Sequence, residues 1–454
     1  MDKLVIIISV LLLLAGTENS KAQINNQGSQ IRAKKIKPLN NKHTYSVEDA
    51  QKNPEQVKKL DLSNRQLIDF PLSVAELSEV EYLDLSNNQL TKINADLTRL
   101  KKLKYINLSN NKFTTFPKEL YHLENIEEIN FSNNNISILP EDIYRMPKIR
   151  VLNLNKNRLA KLPEKLTGLR NLEALYIDNN KFSTILPIIF RLVTLNLLSL
   201  NYSQISLIPP EISKLLFLKS LSLQGNNLSS LPKELCKLKY LRELILSENQ
   251  LSELPVNFYE LENLRVLKIN KNKFKSIDKN FSGLKNLEVL VASNNSIQKI
   301  PCDFSLLMSL KEFDLSMNNL TVLPKELAKL YNLKKLDVSK CLIMSIQTEF
   351  FNLKNLNELD LSYNRLAYLP VEIYRLYNLN NLKLDFNELT ELPRELTNLV
   401  NLRFLSINNN KLSKLPIGID RMKSLRMVSV RKNLFTDDVM QNIKQKYQGI
   451  KFAF

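Results

Sequence analysis

The chain has 454 residues, an ordinary apolar content of 44%, three cysteines, two histidines and a formal net charge of +18. A chain of this length can bury a large core, and its positive charge suggests anionic partners only where that charge is concentrated. So few cysteines and histidines argue against zinc sites and Cys/His catalysis. We therefore expect neither a metal nor a cofactor.

The first 22 residues have the pattern of a secretory signal peptide. Lys3 precedes an apolar run of 13 residues, Leu4 to Gly16, and "SKA" at 20–22 offers small residues for cleavage after Ala22. A membrane span needs roughly 20 apolar residues, and an uncleaved anchor is the alternative. The pattern predicts a mature chain that begins at Gln23, has no membrane span, and is secreted or held in the cell envelope.

Two short segments precede the periodic part of the chain. Residues 23–43 are polar and basic without periodicity, which predicts a flexible linker. Residues 44–56 include "SVEDAQK", a predicted short helix with Ser46 as N-cap and Asp49 three residues later, and Pro54 ends it. We expect this helix to act as a cap that covers the first repeat.

Residues 57–435 are built from repeats of 23 residues. "YLDLSNNQL" (82–90), "YINLSNNKF" (105–113) and "ELDLSYNRL" (358–366) align without a gap, and the frame extends to seventeen repeats. We number the positions within each repeat so that Val57 and Leu310 are position 1 of repeats 1 and 12. In "LKEFDLS" (310–316) apolar residues alternate, which predicts a strand with one buried face. Irregular three- and four-residue spacing afterwards predicts a short helix or 3₁₀ turn.

Position 9 holds an asparagine in most repeats. Its amide can bond backbone groups of its own and neighbouring repeats where the chain leaves the strand. Arg65, Ser203 and Cys341 stand at this position in the three other repeats. The predicted ladder consists of Asn88, Asn111, Asn134, Asn157, Asn180, Asn226, Asn249, Asn272, Asn295, Asn318, Cys341, Asn364, Asn387, Asn410 and Asn433.

The three cysteines are all predicted to be free thiols. Cys341, at a ladder position, is predicted to be a buried structural substitute and not a nucleophile or a metal ligand. Cys236 and Cys302 fall in the second half of their repeats, too far apart in the predicted sheet for a disulfide. We expect thiol reagents to label Cys341 more slowly than Cys236 or Cys302.

The repeat resembles that of the leucine-rich repeat family. The signature L-x-x-L-x-L-x-x-N-x-L stands here as "LKEFDLSMNNL" (310–320), and "LPKELAKLYNL" (323–333) is similar to the 23-residue class of Ras-group-related and of bacterial secreted or surface proteins. The resemblance implies an α/β solenoid, or horseshoe, with a concave parallel sheet of about 17 short strands and a helical or 3₁₀ convex side. Eukaryotic extracellular members usually carry disulfides in their end caps, so free cysteines favour a bacterial source.

Residues 436–454 predict a C-terminal helical cap, because Val439, Ile443 and Tyr447 have helical spacing. Neither end is long enough for a catalytic domain of the kind that some bacterial members carry. No Ser/His/Asp, Cys/His or paired-acid site stands outside the repeat consensus. We therefore expect a protein that is not an enzyme.

Charge on the predicted concave face argues against nucleic acid. Positions 3, 5 and 7 carry eleven acidic and five basic residues, the reverse of what a nucleic-acid binder shows. Three carboxylates share position 5 of consecutive repeats: Asp314, Asp337 and Asp360. They suggest a contact for a basic partner or a cation. The alternative is that "LDLS" is only a common form of the repeat, since Asp61 and Asp84 have it too.

Apolar residues also cluster toward the C-terminal repeats. Position 8 holds Met317, Tyr363 and Phe386, and position 3 holds Phe404 and Met427. Such a cluster predicts a partner-binding surface with aromatic anchors, unless its members are incidental. A smaller group consists of Tyr176, Leu197 and Tyr202.

These observations predict a monomeric interaction scaffold that binds a protein partner through the concave face. The alternative is a module that binds glycans or the cell envelope, and salt dependence separates the two because electrostatic attachment weakens with salt. A third possibility, a signalling adaptor that binds a small GTPase, requires that the chain is not exported.

Overall fold

The computed structural model describes residues 46–277, 281–447 and 449–454, with Cys302 described in its backbone alone. The predicted signal peptide (1–22), the linker (23–43) and the first two residues of the predicted N-terminal cap lie outside the described residues. The chain divides into two compact units, of which unit 1 ends at Asn226 and unit 2 begins at Asn227.

The described part of unit 1 starts with the short helix α1 (Val47–Gln51), whose N-cap Ser46 accepts a hydrogen bond on Oγ from the Asp49 N–H at 3.0 Å. Eight parallel strands follow, one in each repeat: β1 (Lys59–Asp61), β2 (Tyr82–Asp84), β3 (Tyr105–Asn107), β4 (Glu128–Asn130), β5 (Val151–Asn153), β6 (Ala174–Tyr176), β7 (Leu197–Ser199) and β8 (Ser220–Ser222). The 3₁₀ helices of unit 1 are Pro54–Gln56, Leu72–Glu76, Ala95–Arg99, Lys118–His122, Glu141–Arg145, Glu164–Gly168, Pro187–Arg191 and Pro210–Lys214.

Unit 2 continues the pattern with strands β9 (Glu243–Ile245), β10 (Val266–Lys268), β11 (Val289–Val291), β12 (Glu312–Asp314), β13 (Val322–Leu323), β14 (Lys335–Asp337), β15 (Ser345–Ile346), β16 (Glu358–Asp360), β17 (Asn381–Lys383), β18 (Phe404–Ser406), β19 (Met427–Ser429) and β20 (Lys451–Ala453). Strands β13 and β15 pair only with each other. The 3₁₀ helices described in unit 2 are Lys233–Lys237, Phe258–Glu260, Cys302–Leu306, Lys325–Lys329, Thr348–Asn352, Val371–Arg375, Arg394–Asn398 and Ile419–Arg421.

Within each unit, strand register follows the repeat, since a strand residue of one repeat lies opposite the residue 23 positions later. Phe313 of β12, for example, lies opposite Leu336 of β14, and Leu336 lies opposite Leu359 of β16. Positions 1, 4 and 6 point into the core, as Leu310, Phe313 and Leu315 illustrate, all at most 2% exposed. One repeat cannot bury these side chains alone, so stacking of neighbours makes the core. The predicted parallel sheet with a 3₁₀ opposite side is confirmed.

The C-terminus contains one strand more than the sequence predicts. Helix α2 (Asp437–Lys446) begins at the N-cap Thr436, whose Oγ accepts from the Val439 N–H at 3.4 Å. Strand β20 then pairs in parallel with β19, with Phe452 opposite Val428. The helical spacing predicted α2 but not β20, which contributes backbone hydrogen bonds to the last strand of the repeats.

The position-9 asparagines each bond several backbone groups of two repeats. The Asn318 Nδ2 donates to the carbonyl oxygens of Ala292 at 3.0 Å, Leu315 at 2.8 Å and Ser316 at 3.3 Å. Its Oδ1 accepts from the Ile297 N–H at 2.9 Å. Other ladder asparagines make the same contacts, as Asn364 does with the Val338 carbonyl and the Ile343 N–H. The ladder therefore satisfies buried backbone groups where each strand ends.

A second asparagine ladder lies at the last position of the repeat, and the sequence reasoning did not identify it. Each of these side chains donates from Nδ2 to the backbone carbonyl oxygen 24 residues earlier, as Asn332 does to Met308 at 2.7 Å. The sequence pattern that could have identified this ladder is an asparagine directly before position 1 of the next repeat. The members are Asn125, Asn171, Asn263, Asn286, Asn332, Asn355, Asn378 and Asn401.

Cys236 and Cys341 are both free and buried. The Cys341 Sγ donates a weak hydrogen bond to the Leu315 carbonyl at 3.5 Å. Cys236 is fully buried because its place in Lys233–Lys237 faces the core, so its accessibility does not support the expectation that it reacts faster than Cys341. Burial raises the pKa of the Cys236 thiol to about 12 and that of Cys341 to about 11, which leaves little reactive thiolate in either.

Substitution Cys341→Asn is expected to be tolerated, or to stabilise the fold by about 1 kcal/mol, because it restores the ladder amide. By the ladder pattern its Nδ2 would reach the Val338 and Ser339 carbonyls and its Oδ1 would reach the Leu320 N–H. The measurement is urea unfolding followed by circular dichroism. Cys341→Ala is the control and should be less stable than wild type; an asparagine variant less stable than the alanine variant would contradict the assignment.

Candidate functional site

We define the sheet face as the side chains at positions 3 and 5, which lie on the side of each strand opposite the core. In β12 the burial alternates, with Glu312 and Asp314 partly exposed on either side of buried Phe313. The strand register places equal positions of successive repeats side by side. A residue type that recurs at one position therefore forms a continuous row on the sheet face.

Position 8, in the turn after each strand, has a left-handed backbone. Its φ lies between 51° and 58° in every repeat except at Gly225, where it is 67°. Asparagine and glycine tolerate this conformation, whereas bulky residues are disfavoured by roughly 1–2 kcal/mol. Four bulky side chains are nevertheless held there: Tyr202, Met317, Tyr363 and Phe386. Sequence patterns identified these residues as unusual but did not reveal the backbone strain.

Tyr363 and Phe386 stack on each other. Their ring centroids are 4.1 Å apart with an interplanar angle of 11°, and the side chains are 45% and 40% exposed. The Lys340 Nζ lies 5.5 Å from the centroid of the Tyr363 ring, within the range of a cation–π interaction. We call Lys340, Tyr363 and Phe386 the aromatic stack. Met317 is the position-8 residue of repeat 12, directly before the repeat of Lys340, and is 46% exposed.

Phe404 and Met427 form a separate pair at position 3. They lie opposite each other on β18 and β19, and Phe404 is 49% exposed. Among the residues that the structure describes, Phe404 makes no ring contact with the aromatic stack. Tyr363, Phe386 and Phe404 therefore do not form one continuous stack of rings, because Phe404 stands at position 3 and the other two at position 8.

The three aspartates at position 5 are neighbours in register on β12, β14 and β16, and we call them the aspartate row. In each, Oδ1 accepts a hydrogen bond from the backbone N–H of the serine two residues later, at 2.9–3.0 Å. Asp61 and Asp84 make the same bond. One oxygen of each carboxylate thus accepts a hydrogen bond that stabilises the turn. This agrees with the interpretation that "LDLS" is a common form of the repeat.

The charges of the aspartate row are only partly neutralised. The Lys383 Nζ lies 3.0 Å from Oδ2 of Asp360, but no lysine or arginine in the described part of the chain forms an ion pair with Asp314 or Asp337. Burial, together with the charges of Asp360 and Asp314, raises the pKa of Asp337 to about 6. Two carboxylates of the row therefore lack an ion pair among the described residues, although the Lys383 charge also acts on Asp337.

Unit 1 has a different sheet face. The Tyr82 and Tyr105 rings stack with centroids 4.2 Å apart, and burial raises the pKa of Tyr82 to about 12 and that of Tyr105 further. Burial likewise raises the pKa of neighbouring Glu128 to about 7. The next repeats carry a buried apolar cluster formed by Val151, Ala174, Tyr176 and Leu197.

The smaller apolar group that the sequence singled out is mostly buried. Tyr176 and Leu197 are 2% and 4% exposed, whereas Tyr202 is 44% exposed. The Tyr202 ring lies where a Cβ at Gly225 would sit, so glycine at that turn makes room for the ring. These three residues therefore do not form one exposed patch.

Two kinds of site are not found in the described part of the chain. No group of three or more His, Cys, Asp or Glu residues described by the structure could hold a metal ion. None of the described helices has the length and apolar character that crossing a membrane requires.

Sequence and structure comparisons agree on the family. Leucine-rich repeat models match residues 55–113, 125–146, 171–192, 217–274, 241–297, 262–320 and 331–389. The solved structure of a leucine-rich repeat protein from Leptospira interrogans is 32% identical, covers 91% of this chain and 100% of its own, and has a TM-score of 0.76. This chain belongs to the leucine-rich repeat family. Members of this family are generally interaction scaffolds and not enzymes.

More distant members of the leucine-rich repeat family share the fold. The Arabidopsis receptor kinase HAESA, solved with the peptide hormone IDA, is 26% identical, covers 87% of this chain and 73% of its own, and has a TM-score of 0.63. The plant peptide hormone receptor RGFR1, solved with RGF2, is 24% identical over 86% of this chain and 73% of its own, with a TM-score of 0.62. A search of curated proteins returned no match.

Proposed function

We propose that this leucine-rich repeat protein is a non-enzymatic scaffold that binds a polypeptide partner through unit 2. The site consists of the aromatic stack together with the adjoining sheet face of repeats 12–17. The observation that carries the proposal is that Tyr363 and Phe386 are exposed, stacked and held in a left-handed backbone.

The turn itself does not require aromatic residues at position 8. Asparagine or lysine stands there in most repeats with the same φ. Bulky side chains in strained backbone positions often mark functional sites, and exposed aromatic rings are frequent anchors of protein complexes. The structural relative HAESA binds a peptide hormone, which supports a polypeptide as the ligand class on this scaffold.

A capture experiment tests the proposal. The purified chain is incubated with extracellular and envelope fractions of its native source, and bound proteins are identified by cross-linking and mass spectrometry. We expect a protein that binds wild type but not Tyr363→Asn/Phe386→Asn, and that still binds Tyr202→Asn. Equal capture by wild type and both variants would contradict the proposal. Retention of a glycan that high salt releases would also contradict it.

Export is the second part of the proposal, because the apolar run and the "SKA" segment predict a cleaved signal. The native protein is expected in the extracellular or envelope fraction with Gln23 as its first residue. N-terminal sequencing of that fraction measures this. A cytosolic protein that retains Met1 would overturn it and would make binding of a small GTPase the hypothesis to test.

A further inference from the structure

We propose that the unit 2 site selects a polypeptide segment in which an arginine or lysine lies close to an aromatic or long aliphatic side chain. The cation would bind the aspartate row, and the apolar side chain would pack on the aromatic stack. This inference rests on the proposed function and specifies the chemistry of the partner.

The aspartate row offers negative charge that the chain does not neutralise. Neighbouring parallel strands lie about 4.8 Å apart, so Asp314, Asp337 and Asp360 present their carboxylates at short intervals. Lys335 pairs with Glu358 at 3.3 Å, and Lys340 lies over the Tyr363 ring. Lys383 pairs with Asp360 and leaves Asp314 and Asp337 without an ion pair among the described residues. A guanidinium or ammonium group from a partner would supply the missing positive charge.

Burial and the neighbouring carboxylates favour the protonated form of Asp337. Burial is the largest cause that raises the pKa of Asp337 to about 6, and the negative charge of Asp360 is the second largest. The charged groups on the strands packed against it are Glu312 and Asp314 on β12, Glu358 and Asp360 on β16, and Lys335 on its own strand. A bound cation would lower this pKa, so binding should weaken as the pH falls from 7 to 5.

Ser362 connects the aspartate row to the aromatic stack. It follows Asp360 by two residues, donates its N–H to the Asp360 Oδ1 at 3.0 Å and directly precedes Tyr363. Ser362 is 5% exposed, and its Oγ has no hydrogen-bond partner among the described residues. By contrast, the Ser316 Oγ donates to Asp314. Because the Ser362 Oγ is itself buried, Ser362 joins the two parts of the site through its backbone and is not a contact for a bound segment.

The geometry of repeat 14 limits the spacing in the partner. Asp360, Ser362 and Tyr363 occupy positions 5, 7 and 8 of one repeat, and three extended residues span at most about 10 Å. Asp337, which has no ion pair among the described residues, lies opposite Asp360 on the neighbouring strand, about 4.8 Å further. A basic and an apolar residue one to three positions apart in an extended segment therefore match the site. Phosphate-rich ligands do not match, since the aspartate row would repel them.

Selection from a library of random linear peptides displayed on phage tests this inference. Peptides selected on the purified chain at pH 7 are expected to carry Arg or Lys one to three residues from an aromatic, Leu or Met residue. Selection on Asp314→Asn/Asp337→Asn should lose the basic residue and keep the apolar one. Selection on Tyr363→Asn/Phe386→Asn should lose the apolar residue.

The asparagine variants keep the turn intact, because asparagine already stands at position 5 elsewhere. The Asn107 Oδ1, for example, accepts from the Ser109 N–H at 3.1 Å just as the aspartates do. Asp61→Asn in unit 1 removes a charge at the same position with the same turn bond. It is the matched control and should leave the selected motif unchanged.

Affinity measurements on one selected peptide complete the test. By fluorescence anisotropy, its Arg→Gln analogue is expected to bind at least 10-fold more weakly, and wild type but not Asp337→Asn should lose affinity from pH 7 to 5. Selection of apolar peptides that lack a basic residue would overturn the inference and leave the proposed function standing. Equal affinity of the selected peptide and its Arg→Gln analogue would do the same. If the selected peptides stay the same when Tyr363 and Phe386 are replaced, or if no peptide is selected, the result would contradict both this inference and the proposed function.

Discussion

Asn318→Ala is expected to lower the free energy of unfolding by about 2–3 kcal/mol. The change removes the hydrogen bonds of its side chain with the backbone of Ala292, Leu315, Ser316 and Ile297, and each bond contributes roughly 1 kcal/mol net. Asn318 is 3% exposed, so water cannot replace the lost partner fully. Urea unfolding followed by circular dichroism gives the free energy.

The neighbouring residue provides the control for this prediction. Asn319 is exposed, and Asn319→Ala should change stability by no more than about 0.5 kcal/mol. Each repeat contacts chiefly its neighbours, so the loss at Asn318 should weaken the stacking of repeats 11 to 13. Equal stability of the two variants would show that the ladder amide is not a principal support of the fold.

Tyr363→Asn and Phe386→Asn are each expected to weaken binding of the captured partner by about 30-fold, or roughly 2 kcal/mol. The same changes should leave the fold at least as stable as wild type. Asparagine relieves the left-handed backbone strain, and this gain offsets the lost stacking of about 0.5–1.5 kcal/mol. Isothermal titration calorimetry measures the affinity, and urea unfolding measures the stability.

Two variants in unit 1 serve as controls for the aromatic stack. Tyr202→Asn changes a tyrosine with the same backbone conformation and similar exposure, and Tyr82→Ala changes a stacked tyrosine of the sheet face. Both should reduce affinity much less than the changes in the stack. If the double variant Tyr363→Asn/Phe386→Asn binds like wild type, the aromatic residues are incidental and the aspartate row becomes the next candidate.

The sequence by itself determined the repeat, its register and most of its core. The period of 23 places equal positions side by side, so the sequence alone assigns Phe313 and Leu336 to one buried row. The ladder role of Asn318 followed from the same period, because an amide recurring at most strand ends has backbone partners in two repeats. These features depend on spacing along the chain, which a sequence displays directly.

Only the tertiary structure decided which side chains are accessible and strained. Cys236 was expected to react faster with thiol reagents than Cys341, but it is buried, and the side that its 3₁₀ helix turns to the core depends on packing against neighbouring repeats. The positive φ at position 8, which Tyr363 and Phe386 share with the other repeats, became visible only in the backbone of the structure. The raised pKa of Asp337 arises from burial and from carboxylates that are distant in sequence and adjacent only across strands. The candidate site therefore depends on contacts between repeats.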